Sequence, residues 1–469
     1  MKRKVGSKLM RSKHRMNVLI FVVLIHFILV SLLFTVVAFS ATEEEVSSKQ
    51  IFDLQQIVDE AQPGDTLVLA EGNYLGPVVI NKVLHIQGSN QVLLTNDSPE
   101  AAIMIQAEGV VVEGFNIRQN YVNESAAIVV TADEVGLKDL NIQTKGYGIL
   151  LRDADRGTVL HNSISWLRTK NIKTGEKGNG IDLYNSHNNT IEQNKIQNMR
   201  DGIYLENSRQ LKILNNQLMG SRYGIHCMYI DGSEIIGNLG EYNITGAMIM
   251  GVRDVLVSNN SFLKQSKNVN AQGILLYSVQ NSVIEQNIVE GNRVGIYIES
   301  SQENQIRENS ILRNFIGIQF VHAESNKIHD NDFVSNVIEA EATDSDANEI
   351  EQNYWDSAQG LDLNKDGISE IPYAINPFYQ ELISKTPAFQ LFFQSTGMTF
   401  LSSMYTNNQE SWTKDSSPLM KMSIDSISKP PPSSTEKGNI SETTFMLLIT
   451  STLLITSVAI IFYSGVSKS

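Results

Sequence analysis

The chain has 469 residues, 42% of them hydrophobic and 19% charged, with a formal net charge of −14. The apolar content excludes wholesale disorder, and the acidic balance excludes nucleic acid as a partner. One cysteine, Cys227, excludes an internal disulfide framework and any cysteine-rich zinc site.

Residues 1–15 carry seven Lys and Arg and no acid, and Met16–Phe39 then runs almost without polarity. A basic head before an apolar stretch is an export signal whose head stays inside. Residues 1–40 are therefore expected to be a signal peptide, cleaved before Ala41, or an uncleaved membrane anchor. At the other end, 429–444 reads as a Ser/Pro-rich stalk, and 445–463 is an apolar run of 19 residues, long enough to span a bilayer. The expected arrangement is an exported body tethered to the outer face of a cytoplasmic membrane.

After the leader, Ile51, Leu54, Ile57, Val58 and Ala61 recur at helical spacing and predict a short amphipathic helix. Beyond it the chain repeats. Gly-Ile or a close variant recurs at Gly148, Gly180, Gly202, Gly224, Gly246, Gly273, Gly295 and Gly317, at spacings of 32, 22, 22, 22, 27, 22 and 22. An asparagine series (Asn162, Asn194, Asn216, Asn238, Asn260, Asn287, Asn309, Asn331, Asn353) keeps the same period and shares both insertions. A 22-residue unit with two short period-2 strands is one coil of a parallel β-helix. The reading is an all-β, right-handed parallel β-helix of roughly a dozen coils over 50–376, capped by the helix and followed by a C-terminal extension over 377–428. The recurrent Asn is expected to stack at a turn, each amide bonding its neighbours along the axis.

Positions +1 and +3 after each glycine face in, which makes Cys227 a small buried hydrophobe. Positions +2 and +4 face out and carry an unusually apolar set for a surface. The candidate partner-binding residues are Tyr184, Tyr204, His226, Met228, Tyr229, Met248, Met250, Tyr277 and Tyr297. Two readings of this face compete: a docking site for another protein, or a surface covered by the C-terminal segment folding back. Thioethers are soft ligands for Cu(I), so His226 and Met228, beside Met248 and Met250, are a candidate transient copper site. Asp182 and Glu206 lie one coil apart, at a separation of roughly 7–9 Å that suits an inverting glycosidase pair. That makes a cell-surface polysaccharide lyase or hydrolase the alternative, although the face lacks a cluster of three acids. Asp362, Asn364 and Asp366, followed by Gly367 and Glu370, match the opening of a calcium loop, or else a plain Asx-rich turn.

Three stretches resemble the NosD family. The first runs from Pro63-Gly64-Asp65-Thr66 through Tyr74 to Gly76-Pro77 and is shared by many β-helix proteins. The second is Arg222-Tyr223-Gly224-Ile225-His226-Cys227-Met228-Tyr229, which departs from the family in Cys227, usually an aromatic, and just after it in Ile230, usually small and polar. The third is the ordered series Asn353-Tyr354-Trp355-Asp356, Gly360, Asp366-Gly367-Ile368, Pro372-Tyr373, Pro387-Ala388 and Pro418-Leu419-Met420. The resemblance implies a non-catalytic extracytoplasmic protein that works with the membrane and ATPase subunits of an ABC transporter. Such proteins help assemble the copper–sulfide cluster of nitrous oxide reductase, channelling sulfur and contacting a copper chaperone. Phe378–Leu401 would be the contact to the transporter, or else an amphipathic cap on the last coil.

Overall fold

The computed structural model describes residues 51–422, apart from 123, 168–172, 174–175, 266–267, 269–270, 346, 394 and 408–411. The leader (1–40), the stalk (429–444) and the apolar run (445–463) lie outside the described residues. Among the described residues, no helix is long and apolar enough to cross a membrane.

Each coil contributes three strands, one more than the two read from the sequence. A representative coil has Lys212–Leu214, Gln217–Met219 and Tyr223–Met228. The extra strand, Gln217–Met219 here, follows Lys212–Leu214 after only Asn215 and Asn216, so the two run together in the sequence as one segment. Like strands of successive coils pair in parallel into three sheets of 14, 12 and 13 strands, giving about thirteen coils. The register places like on like. Ile191, Ile213, Ile235 and Val257 form one buried column, and Ile181, Ile203, Ile225 and Ala247 another. These columns make one continuous core, whose burial is the main stabilising term.

The glycines sit where the 12-stranded sheet begins each long strand, because adjacent coils approach too closely there for a side chain. A Cβ on Gly202 would lie 2.5 Å from the Gly224 carbonyl oxygen. The Asn column forms the expected ladder. Asn216 donates its backbone N–H (2.9 Å) and Nδ2 (3.0 Å) to Asn238 Oδ1, and Nδ2 also reaches the Ile191 carbonyl at 2.9 Å. Two further ladders stand at the other turns, Asn292–Asn314–Asn336 and Asn304–Asn326–Asn348.

The ends of the solenoid are closed differently. Helix α1 (Leu54–Glu60) is N-capped by Asp53 and buries Leu54 and Val58. It starts later than the helical spacing suggests, because Ile51–Asp53 is a strand paired with Asn73–Leu75, and Ile51 is exposed. At the C-terminal end, Asp415 Oδ2 accepts from Asn353 N, Asn353 Nδ2 and Trp355 Nε1, terminating the main Asn ladder. Trp355 is stacked between Phe333 and Tyr373. Helix α2 (Phe378–Lys385), a 3₁₀ turn (Pro387–Phe392) and helix α3 (Thr396–Met404) follow. Phe393 and Met398 of this extension bury themselves against Val294, Ile316 and Ile338 of the 12-stranded sheet.

Candidate functional site

The outer surface of the 12-stranded sheet carries the candidate residues in two ladders. One runs Asp182, Tyr204, His226, Met248, Leu275 and Tyr297; the other runs Tyr184, Glu206, Met228, Met250, Tyr277 and Glu299. A third outward column precedes each glycine, and the +2/+4 reading passed over it. It is polar or aromatic in the middle coils, at Asp201, Tyr223, Thr245 and Gln272, and becomes Val294, Ile316 and Ile338 where the extension packs. The change from polar to apolar in that column is the sequence signal that locates the covered end.

Among the described residues, the extension's buried cluster reaches one candidate residue, Tyr297. Tyr297 donates to Glu299 at 3.0 Å, and burial followed by that bond pushes its phenol up to about 12. Tyr184 and Tyr277 are exposed, while Tyr204, Met228, Met248 and Met250 are half-buried. His226 points outward from the sheet yet is only 6% exposed, because neighbouring rings close over it. Tyr204 and Tyr223 pack edge-on against its imidazole, with ring centroids at 4.9 and 4.7 Å.

The histidine is held from behind. Asp201, whose side chain is 1% exposed, takes Arg222 Nε on Oδ1 (2.8 Å) and Arg222 Nη2 on Oδ2 (2.6 Å). His226 Nδ1 meets the same Oδ2 at 3.1 Å. Burial pushes the Asp201 carboxyl up, but the bonds from His226 and Arg222 together outweigh it and hold the group below its ordinary range. His226 Nε2 is buried and has no hydrogen-bond partner. In the neutral ring the proton sits on Nδ1, toward the carboxylate, and Nε2 is a bare lone pair. A histidine oriented by a carboxylate in this way is the usual arrangement of a metal ligand. Met248 stands one coil above it, and Met228 lies two residues along the same strand. A bare imidazole nitrogen with methionines at neighbouring positions of the sheet is a donor set of the kind a soft, low-coordinate cation such as Cu(I) takes. Among the described residues no group of three His, Cys, Asp or Glu could hold a metal.

The two acids of the alternative reading each have close partners. Asp182 is buried and bound on Oδ1 by Arg152 (2.8 Å) and on Oδ2 by Asn179 (2.8 Å). Burial raises its carboxyl despite Arg152. Glu206 accepts from the Tyr204 hydroxyl at 2.7 Å, and that hydroxyl also contacts Met228 Sδ at 3.4 Å. Burial and Glu206 raise the Tyr204 phenol far above its ordinary range. Both carboxylates are thus engaged by neighbouring donors.

One further expectation needs correction. Tyr229 is not on this face; it sits in the turn that leaves the strand Tyr223–Met228, with φ at 55°. The loop at Asp362 has the hydrogen bonds of the Asx-rich turn, one of its two readings. Asp362 accepts from Lys365 N and Gly367 N, Asn364 from Asp366 N, Asp366 from Ile368 N and Glu370 from Leu363 N, so the oxygens serve the loop's own amides. Cys227 is fully buried, and burial pushes its thiol far up, as a core residue requires.

Comparison with known proteins bears on the family and the fold. Residues 167–373 match the model of a family described as periplasmic copper-binding protein (NosD), and 84–239 match that of a right-handed β-helix region. The NosD resemblance in the sequence is thus shown, and the solenoid is right-handed. A probable ABC transporter binding protein NosD of Pseudomonas aeruginosa is 27% identical over 139 residues, 29% of this chain and 32% of the relative. The match thus spans about a third of that relative's length. Among solved structures, the alginate lyase AlyF-OU02 superposes with a TM-score of 0.50 at 14% identity, over 68% of this chain and 84% of the lyase. A periplasmic alginate epimerase, AlgG, gives 0.45 at 14%, over 65% and 82%. At such identities these structures share the fold alone.

Proposed function

We propose that the protein is an extracytoplasmic accessory factor, without turnover of its own, for the maturation of nitrous oxide reductase. In this reading it docks on the membrane subunit of an ABC transporter, whose ATPase subunit drives the work, and helps assemble the reductase's copper–sulfide cluster. The NosD match supports the family role. The observation that carries the reading to particular residues is the buried, unpartnered His226 Nε2, backed by Asp201 and set among Met228, Met248 and Met250.

Copper here is cargo. His226 and the flanking thioethers would hold Cu(I) in transit from a copper chaperone, and the exposed Tyr184 and Tyr277 would border the docking surface. The protein would be held at the outer face of the membrane by the apolar run 445–463, and by the leader if it is not removed. The exposed apolar side chains of the C-terminal extension, Leu391 at 85% exposure with Phe392, Phe400 and Leu401, would meet the transporter.

The test is to delete the gene in its host, purify the reductase, and measure its copper, its sulfide and its activity. The expected result is a reductase that keeps its electron-entry copper and lacks the copper–sulfide cluster. Complementation with His226→Ala should restore less cluster than the wild-type gene does. A fully loaded, active reductase from the deletion strain would overturn the reading.

A further inference from the structure

A second concave surface lies off the sheet face, along the turns that leave its central strands. It is a cleft of about 600 Å³, with Tyr229 and Gly251 on its floor and His187, Arg209, Asp231 and Arg253 along one wall. The floor is one column of turn residues, Asn185, Asn207, Tyr229 and Gly251, all with φ between 48° and 60°. Asparagine tolerates that conformation, whereas a bulky aromatic residue adopts it at a cost of about 1–3 kcal/mol. The strain at Tyr229 comes with a matching feature one coil on. The Tyr229 ring lies across Gly251, where a Cβ would stand 2.8 Å from the ring. A strained tyrosine and the glycine that makes room for it build a flat aromatic platform, and Tyr229 is 56% exposed.

The wall is the adjacent column, in which Arg209, Asp231 and Arg253 bridge in parallel from coil to coil. At one strand spacing per coil, the two arginines stand about 10 Å apart along the axis. Arg209 meets Asp231 only loosely, at 3.9 Å, and Arg253 has no ion-pair partner among the described residues. His187 Nδ1 accepts from Arg209 N, which leaves Nε2–H of the neutral ring as a donor. The cleft thus combines an aromatic floor, two available guanidiniums, two side-chain amides and one carboxylate, on a chain whose net charge is −14.

We propose that this cleft binds an anionic saccharide of the uronate class. The apolar face of a pyranose ring would lie on Tyr229, sugar carboxylates would pair with Arg209 and Arg253, and hydroxyls would be read by Asn185, Asn207 and Asp231. A straight row of side chains at one strand spacing per coil suits a linear polymer, and suits the irregular surface of a folded acidic protein poorly. The cleft does not share residues with the His226 site, so this binding stands apart from the maturation role.

The test is calorimetric titration of the full-length protein in detergent with hexagalacturonate, with the neutral cellohexaose and a hexaglutamate peptide alongside. Hexagalacturonate should bind, and cellohexaose and hexaglutamate should each bind at least about tenfold more weakly. Arg253→Ala and Tyr229→Asn should each lower the affinity about tenfold. Tyr229→Asn restores the residue type of Asn185 and Asn207, so it keeps the turn, and thermal melts check that both variants fold. No heat with hexagalacturonate would overturn the proposal, as would unchanged affinity in both folded variants. Hexaglutamate binding as tightly as the uronate would also overturn it, in favour of an acidic protein partner.

Discussion

Asp201 Oδ2 accepts a hydrogen bond from His226 Nδ1 at 3.1 Å, from one coil to the next, while Arg222 grips both oxygens of the same carboxylate. The pair fixes the imidazole in one orientation and leaves Nε2 as its only open position. A carboxylate behind a ligating histidine sharpens both its direction and its basicity.

If Nε2 carries copper in transit, anaerobic Cu(I) competition against a chromophoric chelator should register it. His226→Ala should lose most of the affinity, and Asp201→Asn should lose about tenfold to a hundredfold by releasing the ring. Cys227→Ser should change nothing in copper binding, because that thiol is sealed in the core. Wild-type affinity in His226→Ala would remove this nitrogen from the copper path.

The Asn ladder makes its own prediction. Asn238 Oδ1 accepts from Asn216 N and Nδ2, and Asn238 Nδ2 donates to the Ile213 carbonyl at 2.8 Å. Asn238→Ala strips those partners from groups buried away from water, at a cost of about 2–5 kcal/mol. A chemical-denaturation midpoint matching that of the wild type would show that water replaces the amide.

The parts of the fold that could be read in the sequence are those that repeat one side chain per coil. Asn216, Asn238 and Asn260 satisfy identical turn groups at each level, and Gly202 and Gly224 keep identical backbone approaches, so selection writes the same letter every 22 residues. The third strand went unread because only Asn215 and Asn216 separate it from Lys212–Leu214, and so short a corner leaves no break in the pattern. Asp201 went unread because it interrupts no pattern; its role comes from reaching along the axis to Arg222 and His226. Alternation placed His226 outward correctly, but its burial comes from the Tyr204 and Tyr223 rings beside it, and lateral cover of that kind leaves no period in a sequence. The extension has no repeat to reveal it, apart from the run of Val294, Ile316 and Ile338 beneath it.

Asp182→Asn separates the accessory reading from a polysaccharide-cleaving one. With Asp182 held by Arg152 and Asn179, and Glu206 by Tyr204, the wild-type protein should release no unsaturated uronates or new reducing ends from polyuronates. The substitution removes a carboxylate whose ionised form burial disfavours, so the variant should fold, and a thermal melt checks this. Cleavage by the wild type that disappears in Asp182→Asn would establish an enzyme.

The covered end of the sheet should respond to pH through Glu341. Its Oε2 accepts from Gln319 Nε2 at 3.0 Å, and burial, only partly offset by Arg293, pushes its carboxyl from an ordinary 4.5 up to about 7. Other titratable groups face the same region. Glu339, two residues earlier, is held well above its ordinary range by burial and by Asp356. Arg293 lies over Phe315, which stacks on Phe393 of the extension. Between pH 4.5 and 7 the folded protein holds a proton on Glu341 that the unfolded chain gives up, so stability is highest below that window and falls as pH rises through it. For Glu341 alone the loss is on the order of 3 kcal/mol. Melting curves across this range should therefore show the wild type losing stability toward neutral pH. Glu341→Gln should flatten that slope and melt higher than the wild type above pH 7. Parallel curves for the two proteins would mean that Glu341 reaches solvent when it ionises.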